Sequence, residues 1–114
     1  MIDYSKEIVA SLSNVLPTYY EMTLQKGTKV PCISYQERSN VQQESGDTLG
    51  YSRLSYTIKV WSKSAKEIQE YALEVDAVMR ELRFKRVSCN ELYDNQSPMI
   101  QKIMTYEALA KEEY

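Results

Sequence analysis

Few side chains of this 114-residue chain are of the types that carry out chemistry. Histidine, the commonest general base and metal ligand, is missing from the sequence. The two cysteines, Cys32 and Cys89, are far apart and lack metal-ligand spacing, so they do not indicate a zinc site. Neither lies in a motif that would supply an activating base for a nucleophilic thiol. We therefore expect two free, partly buried thiols, as is usual for proteins of a reducing cytoplasm.

Acidic residues on one predicted helix are the remaining candidates for acid–base or metal chemistry. Glu70 and Glu74 are one helical turn apart, and Asp76 follows them. A solvated helix face is the simpler interpretation of this spacing. The three glycines form no phosphate-binding loop, since none lies in a strand-to-helix turn. We expect no catalytic residue, no cofactor and no metal site, and hence a protein that is not an enzyme.

One basic cluster stands out, and it consists of Arg80, Arg83, Lys85 and Arg86. It falls at the carboxyl end of the same helix, where cations complement the helix dipole. A contact with an acidic partner or a phosphate backbone is the alternative interpretation. The net charge of −2 and the pI near 5.2 argue against general or sequence-specific binding of nucleic acid.

These residues are positioned by a strand that leads directly into the longest predicted helix. Leu54, Tyr56, Ile58 and Val60 alternate along the chain and therefore share one face of a strand. From Ser64 to Leu82 the apolar spacing changes to that of a helix. The apolar stripe of this helix comprises Ile68, Tyr71, Ala72, Val75, Val78, Met79 and Leu82. Ser64 and Glu67 form a capping-box pattern at its start.

The rest of the chain supplies a second helix and further strands. A short first helix, capped by Asp3 or Ser5, ends before Pro17. Strands are predicted at Thr18–Met22, Val30–Glu37, Arg83–Cys89 and Ile100–Tyr106, with a turn-rich segment at Asn90–Pro98 and a helix-compatible end at Glu107–Tyr114. The pattern predicts one α+β domain over residues 1–114. It would have two layers, with a mostly antiparallel four- to five-stranded sheet packed against two helices.

Residues 39–50 are polar, contain two glycines and show no period, so we predict a long loop between two strands. Such loops are often functional, although a mobile hairpin tip is the plain alternative. The candidate interface residues are Gln42, Gln43, Glu44, Ser45 and Asp47 of this loop, together with Arg80, Arg83, Lys85 and Arg86 of the basic cluster.

The order of these segments resembles that of the tail-completion, or tail-terminator, proteins of long-tailed bacteriophages. The resemblance lies in Pro31-Cys32-Ile33-Ser34-Tyr35, the strand Tyr56–Ser62 that ends in Val-Trp-Ser, the helix Ser64–Leu82, Phe84-Lys85-Arg86 and Asn90-Glu91-Leu92-Tyr93. It covers nearly the whole chain, but each motif is short. One position departs from the pattern, since Arg83 stands where a glycine would be expected to end the helix.

The resemblance implies a structural protein of the virion that is assembled in the cytoplasm of the bacterial host. It would form a homo-oligomeric ring, a hexamer in the assembled particle, that caps the tail tube and joins it to the head connector. The tail-tube and head-connector proteins would be its partners. A ring needs two different faces on each subunit, and a tyrosine-rich sheet edge pairing with a neighbour's edge would provide them.

Two other classes of function remain open from the residues alone. One is a small monomeric adaptor or regulatory module that binds one protein partner through its sheet. The other is nucleic-acid binding through an exposed sheet that carries Tyr51, Tyr56 and the basic cluster, but Tyr56 shares its face with residues expected in the core. No signal peptide and no apolar stretch of about 20 residues is found, so we expect no membrane contact.

Overall fold

The computed structural model describes residues 1–21, 29–45, 48–94 and 99–111, which form two helices and one five-stranded sheet. The elements are α1 (Ser5–Leu12), β1 (Thr18–Tyr20), β2 (Cys32–Ser45), β3 (Thr48–Ser62), α2 (Ala65–Glu81), β4 (Lys85–Asp94) and β5 (Met99–Lys111). The strand order is β1-β2-β3-β5-β4. Only the pair β1–β2 is parallel, and the other three pairs are antiparallel. The predicted α+β fold with a mostly antiparallel sheet is therefore confirmed.

The core lies between the sheet and the two helices, as the strand and helix periods predicted. Leu54, Tyr56, Ile58 and Val60 of β3 are fully buried on the helix side of the sheet. The helices bury residues spaced three and four apart, which are Ile8 and Leu12 of α1 and Ile68, Ala72, Val75 and Met79 of α2. Burial of each large apolar side chain contributes about 1.5–3 kcal/mol, so this face of β3 is the centre of the fold.

The two ends of α2 are each closed by defined hydrogen bonds. At the start, Ser64 Oγ accepts a bond from the Glu67 amide at 3.2 Å, as the capping-box pattern predicted. The Ser64 amide in turn donates to Ser62 Oγ at 3.1 Å. At the other end, the Phe84 amide donates to the Met79 carbonyl and the Arg83 amide to the Arg80 carbonyl, both at 2.9 Å. This pair of bonds is a Schellman motif.

Arg83 occupies the left-handed position that a Schellman motif requires, with φ of 68°. Residues with a Cβ atom are strained in this region, whereas glycine is not. We therefore expect Arg83→Gly to raise the free energy of unfolding by about 0.5–1 kcal/mol, measured by urea denaturation. Arg83→Ala is the matched control, because it removes the same charge and keeps the strained backbone. Equal stability of the two variants would contradict this explanation.

The loop predicted for residues 39–50 is wrong over most of its length. β2 continues to Ser45 and β3 begins at Thr48, so this segment forms the far end of a long β-hairpin. Asn40 pairs with Leu54, and Gln42 with Ser52. The hydrophobic pattern does not mark a buried face here, because Ser52 is buried whereas Val41 and Tyr51 are exposed. Pairing with the neighbouring strand then determines the backbone, which a hydrophobic pattern cannot reveal.

Three other segment predictions also need correction. The turn-rich segment from Asn90 is strand as far as Asp94, and the helix-compatible end from Glu107 is strand as far as Lys111. In the first segment, ladder bonds to a neighbouring strand override a turn-favouring composition, and in the second they override a helix-favouring one. The first helix has Tyr4 at its N-cap with no side-chain bond there, although Asp3 accepts from the Ser5 amide at 2.9 Å.

Candidate interaction surfaces

Asp76 is the hub at which the helix and the two last strands are joined on the helix side of the sheet. Its carboxylate accepts a hydrogen bond from the Tyr106 hydroxyl at 2.9 Å. It also forms ion pairs with Arg86 at 3.2 Å and with Arg80 at 3.4 Å. The Asp76 side chain is 17% exposed, so these bonds replace much of its hydration. Three elements, α2, β4 and β5, therefore depend on one carboxylate.

The Tyr106 hydroxyl is held in its protonated form. Burial, followed by the hydrogen bond to Asp76 and its negative charge, raises the pKa of Tyr106 far above the ordinary value. The ring is 1% exposed. A phenol that stays protonated and faces a carboxylate is a fixed donor and not a base or nucleophile. The hydrogen bond from Tyr106 to Asp76 therefore joins β5 to α2.

The structure divides the predicted basic cluster between two open clefts. Asp76, Arg80, Phe84, Lys85 and Arg86 line the first, which encloses about 350 Å³. Three cations and one carboxylate give it a positive charge. Arg83 belongs to the second cleft, of about 320 Å³, together with Arg53, Lys85, Val87, Glu107, Ala108 and Leu109.

The predicted loop residues lie in a different part of the molecule. Gln42 is opposite Ser52 on the hairpin and Gln43 opposite Tyr51, while Ser45 pairs with Thr48 and Glu44 falls at a bulge. Asp47 lies outside the described residues. In the sheet, Arg86 is level with Tyr56 of β3. Ser52, which pairs with Gln42, is four residues from Tyr56 along β3, a distance of about 13 Å at the rise of a strand. The structure therefore does not bring the two groups of candidate interface residues together.

Some prominent surface residues were missed in the sequence. Leu73 is 72% exposed although it lies on α2, and its position outside the apolar stripe was the available signal. Val87, Leu92 and Tyr93 of β4 are also exposed.

Both cysteines are free: Cys32 is buried, as expected, and burial raises the pKa of its thiol. Cys89 is exposed on β4, in contrast to the expected partial burial.

The described residues give no sign of a metal centre or a membrane span. Within residues 1–21, 29–45, 48–94 and 99–111, no three His, Cys, Asp or Glu side chains are grouped to hold a metal ion. Among the helices of these ranges, neither is long and apolar enough to cross a membrane.

The family model described as "Tail completion protein gp17" matches residues 7–110. The chain therefore belongs to this family and is a structural protein of a phage tail. The suspected resemblance is confirmed.

One solved structure supports the fold independently of sequence. A chain of the structure described as "Virion of native gene transfer agent (GTA) particle" superposes with a TM-score of 0.65. The sequence identity is 10%, and the match covers 92% of this chain and 84% of that chain. At this identity the likeness concerns the fold alone. No curated protein sequence matches the chain.

Proposed function

We propose that the protein closes as a ring on the end of the tail tube, stops tube growth and presents the surface that docks on the head connector. The observation that carries this proposal is the tail-completion match, which spans residues 7–110. The structural neighbour from a virion particle supports a place in the phage particle. The proposal includes assembly of the protein in the host cytoplasm. Each subunit acts through surface contacts and carries out no reaction.

The hairpin is the part of the subunit best suited to reach a second protein. The molecule measures 54 × 24 × 24 Å, so it is more than twice as long as it is wide. β4 begins at Lys85, which is level with Ser55 and Ser39 of the hairpin strands. Beyond that level, β2 and β3 continue with the end of β5 beside β3, and Asn40 Nδ2 donates to the Ile2 carbonyl at 2.7 Å. Their paired backbone makes a stiff arm, in contrast to a loop that orders on contact.

The arm and the basic cleft offer two separate surfaces for two partners. On the arm, Val41 and Tyr51 are exposed among polar side chains, a mixture typical of contacts that are wet before assembly. On the cleft, Arg80 and Lys85 are exposed cations. We assign the arm to one axial partner, tube or connector, and the cleft to acidic side chains of the other. Rim cations of this kind speed association more than they add affinity.

Shortening the arm tests the proposal. Residues 43–51 are replaced by Asn-Gly, which joins the paired residues Gln42 and Ser52 through a two-residue hairpin turn. We expect the chain to fold and to remain in solution, while heads and tails accumulate separately in electron micrographs. The matched control replaces only Gly46-Asp47 by Asn-Gly, which keeps the arm's length, and should give joined particles. Normal infectious particles from the shortened variant would contradict the role of the arm.

Light scattering over a range of concentrations separates this function from that of a monomeric adaptor. A ring-forming subunit should associate as its concentration rises or on tails, whereas an adaptor stays monomeric and is missing from purified particles.

A further inference from the structure

β4 is an unusually open edge of the sheet. It is the last strand in the order, it is ten residues long, and no other described strand pairs with its outer side. Proteins usually blunt such edges with charges, bulges or covering segments, because free edges pair with other chains. Here Val87, Leu92 and Tyr93 are exposed apolar side chains on this strand. The strand is only partly apolar, since it also carries four charged residues and a bulge between Arg86 and Ser88. Its exposed apolar side chains suit a partner that stays bound.

Leu73 extends this surface from the strand onto α2. Gln69 and Asp76 lie on the flank of α2 that faces β4, since Gln69 bonds Glu91 and Asp76 pairs with Arg86. Helical spacing places Leu73 on the same flank, between these two anchors. It is the one large apolar residue of α2 that is mostly exposed. We define the β4 edge surface as Leu73, Arg86, Val87, Cys89, Leu92 and Tyr93.

The opposite edge of the sheet carries a complementary set, the β1 edge surface, which we define as Tyr19, Tyr20 and Glu37. Both tyrosines are 38% exposed. Glu37 is exposed on β2 just beyond the end of β1. Glu37 is the cross-strand partner of Tyr56. Burial raises the pKa of Tyr56, and the negative charges of Glu37 and Asp3 raise it further. The β1 edge surface therefore has aromatic rings on β1 and a negative charge on β2, just beyond the end of β1.

The strand registers place matching features of the two edges at the same height. Cys89 is level with Tyr20 through the pairs with Met104, Ile58 and Tyr35. Arg86 is level with Glu37 through the pairs with Tyr106 and Tyr56. Cross-strand partners share a face of the sheet, so Arg86 and Glu37 also lie on the same, helix-bearing side. Arg86 is half-exposed and has five donors, so it can pair with a second carboxylate besides Asp76.

The strand directions are also compatible. β1 runs parallel to β2, whereas β4 runs antiparallel to β5, which has the direction of β2. If one subunit is set beside another with the same orientation, β4 of the first therefore runs antiparallel to β1 of the second. A contact between two different edges is heterologous, and it generates a ring when the rotation closes.

We propose that β4 of one subunit pairs with β1 of a second copy of this chain, which continues the sheet from subunit to subunit. The proposal rests on the ring function above and names the surface that builds the ring. The bulge between Arg86 and Ser88 interrupts a regular ladder at Val87. The new ladder therefore lies between Ser88–Leu92 and Thr18–Tyr20, with the Arg86–Glu37 ion pair beyond it. Leu73 is covered by the neighbour in this arrangement.

A disulfide between subunits tests the contact. The variant Tyr20→Cys is made in the full chain with Cys32→Ala, so that native Cys89 is its only other thiol. Each subunit then carries one thiol at each edge. Mild oxidation of assembled tails, followed by a non-reducing gel, should give a ladder that continues beyond dimers. The control that adds Cys89→Ser should give monomers only. A second pair on the other face of the sheet, Tyr19→Cys with Asn90→Cys in a Cys89→Ser chain, covers the case in which Tyr20→Cys does not fold.

Other outcomes overturn the proposal in distinguishable ways. Dimers that form through Cys89 alone, in the chain with native Tyr20, would mean that two β4 edges pair with each other. Tails that contain the protein but give no ladder with either cysteine pair would place the subunit contact elsewhere and leave the ring function standing. A chain that is missing from tails and monomeric at every concentration would refute the ring function itself.

Discussion

Asp76→Ala is expected to lower the free energy of unfolding by about 2–3 kcal/mol in urea denaturation. The change leaves the buried Tyr106 hydroxyl without its carboxylate acceptor, and only a weak contact to Met104 Sδ at 3.4 Å remains. It also leaves the half-exposed Arg86 without its counter-ion. The pair with Arg80 adds little, because that guanidinium is largely in solvent. Most of the loss therefore comes from the contact between α2 and β5.

A double-mutant cycle isolates that contact. Asp76→Asn keeps an oxygen acceptor for Tyr106 and should cost less than the alanine variant. Tyr106→Phe removes the hydroxyl and leaves the ring in the core. In the double variant Asp76→Ala, Tyr106→Phe, the free energy of unfolding should fall by less than the sum of the decreases in the two single variants. The reason is that no buried hydroxyl is then left unpaired. Additive losses would show that the hydroxyl bond does not carry the stability of this joint.

The central strand and the long helix could be predicted from the sequence because tertiary packing and local pattern agree there. Leu54 to Val60 face the core on alternate positions, and Ser64 caps the helix with its own side chain. The far half of the hairpin and the end of β5 could not be predicted in the same way. The residues buried there are small or polar, such as Ser52 and Ala110, whereas Leu109 is exposed, so the hydrophobic pattern does not mark the buried face. Only pairing with a neighbouring strand defines them.

The candidate sites show the same limit. The basic residues from Arg80 to Arg86 are adjacent in sequence, and their position at a helix end was predictable. Their division between two clefts depends on the turn at Arg83, where the chain reverses into β4. The hub at Asp76 needs Arg86 and Tyr106, which reach it only when β4 and β5 pair beside α2. Pair contacts of this kind depend on register, and a single sequence does not give the register.

Loss of the Phe84 side chain should lower stability more than loss of the Asp76 carboxylate does. It follows α2 directly, is 5% exposed, and its amide closes the Schellman motif on Met79. Its ring contacts Tyr56 of β3 and Tyr4 before α1 edge-on, with centroids 5.8 and 5.7 Å apart. Phe84→Ala is expected to lower the free energy of unfolding by about 3–5 kcal/mol, because a cavity opens where the sheet and both helices meet.

The aromatic contacts and the cavity can be separated by a second variant. Phe84→Leu fills most of the space but loses two edge-to-face contacts, each of which contributes about 0.5–1.5 kcal/mol beyond its buried area. We expect the free energy of unfolding of Phe84→Leu to lie between that of the wild-type chain and that of Phe84→Ala. The near-ultraviolet circular dichroism signal from Tyr4 and Tyr56 should be reduced. If Phe84→Ala were nearly as stable as Phe84→Leu, the site would collapse around the small side chain. The end of α2 would then be held by its backbone bonds alone, and the basic cluster would depend on the turn rather than on the core.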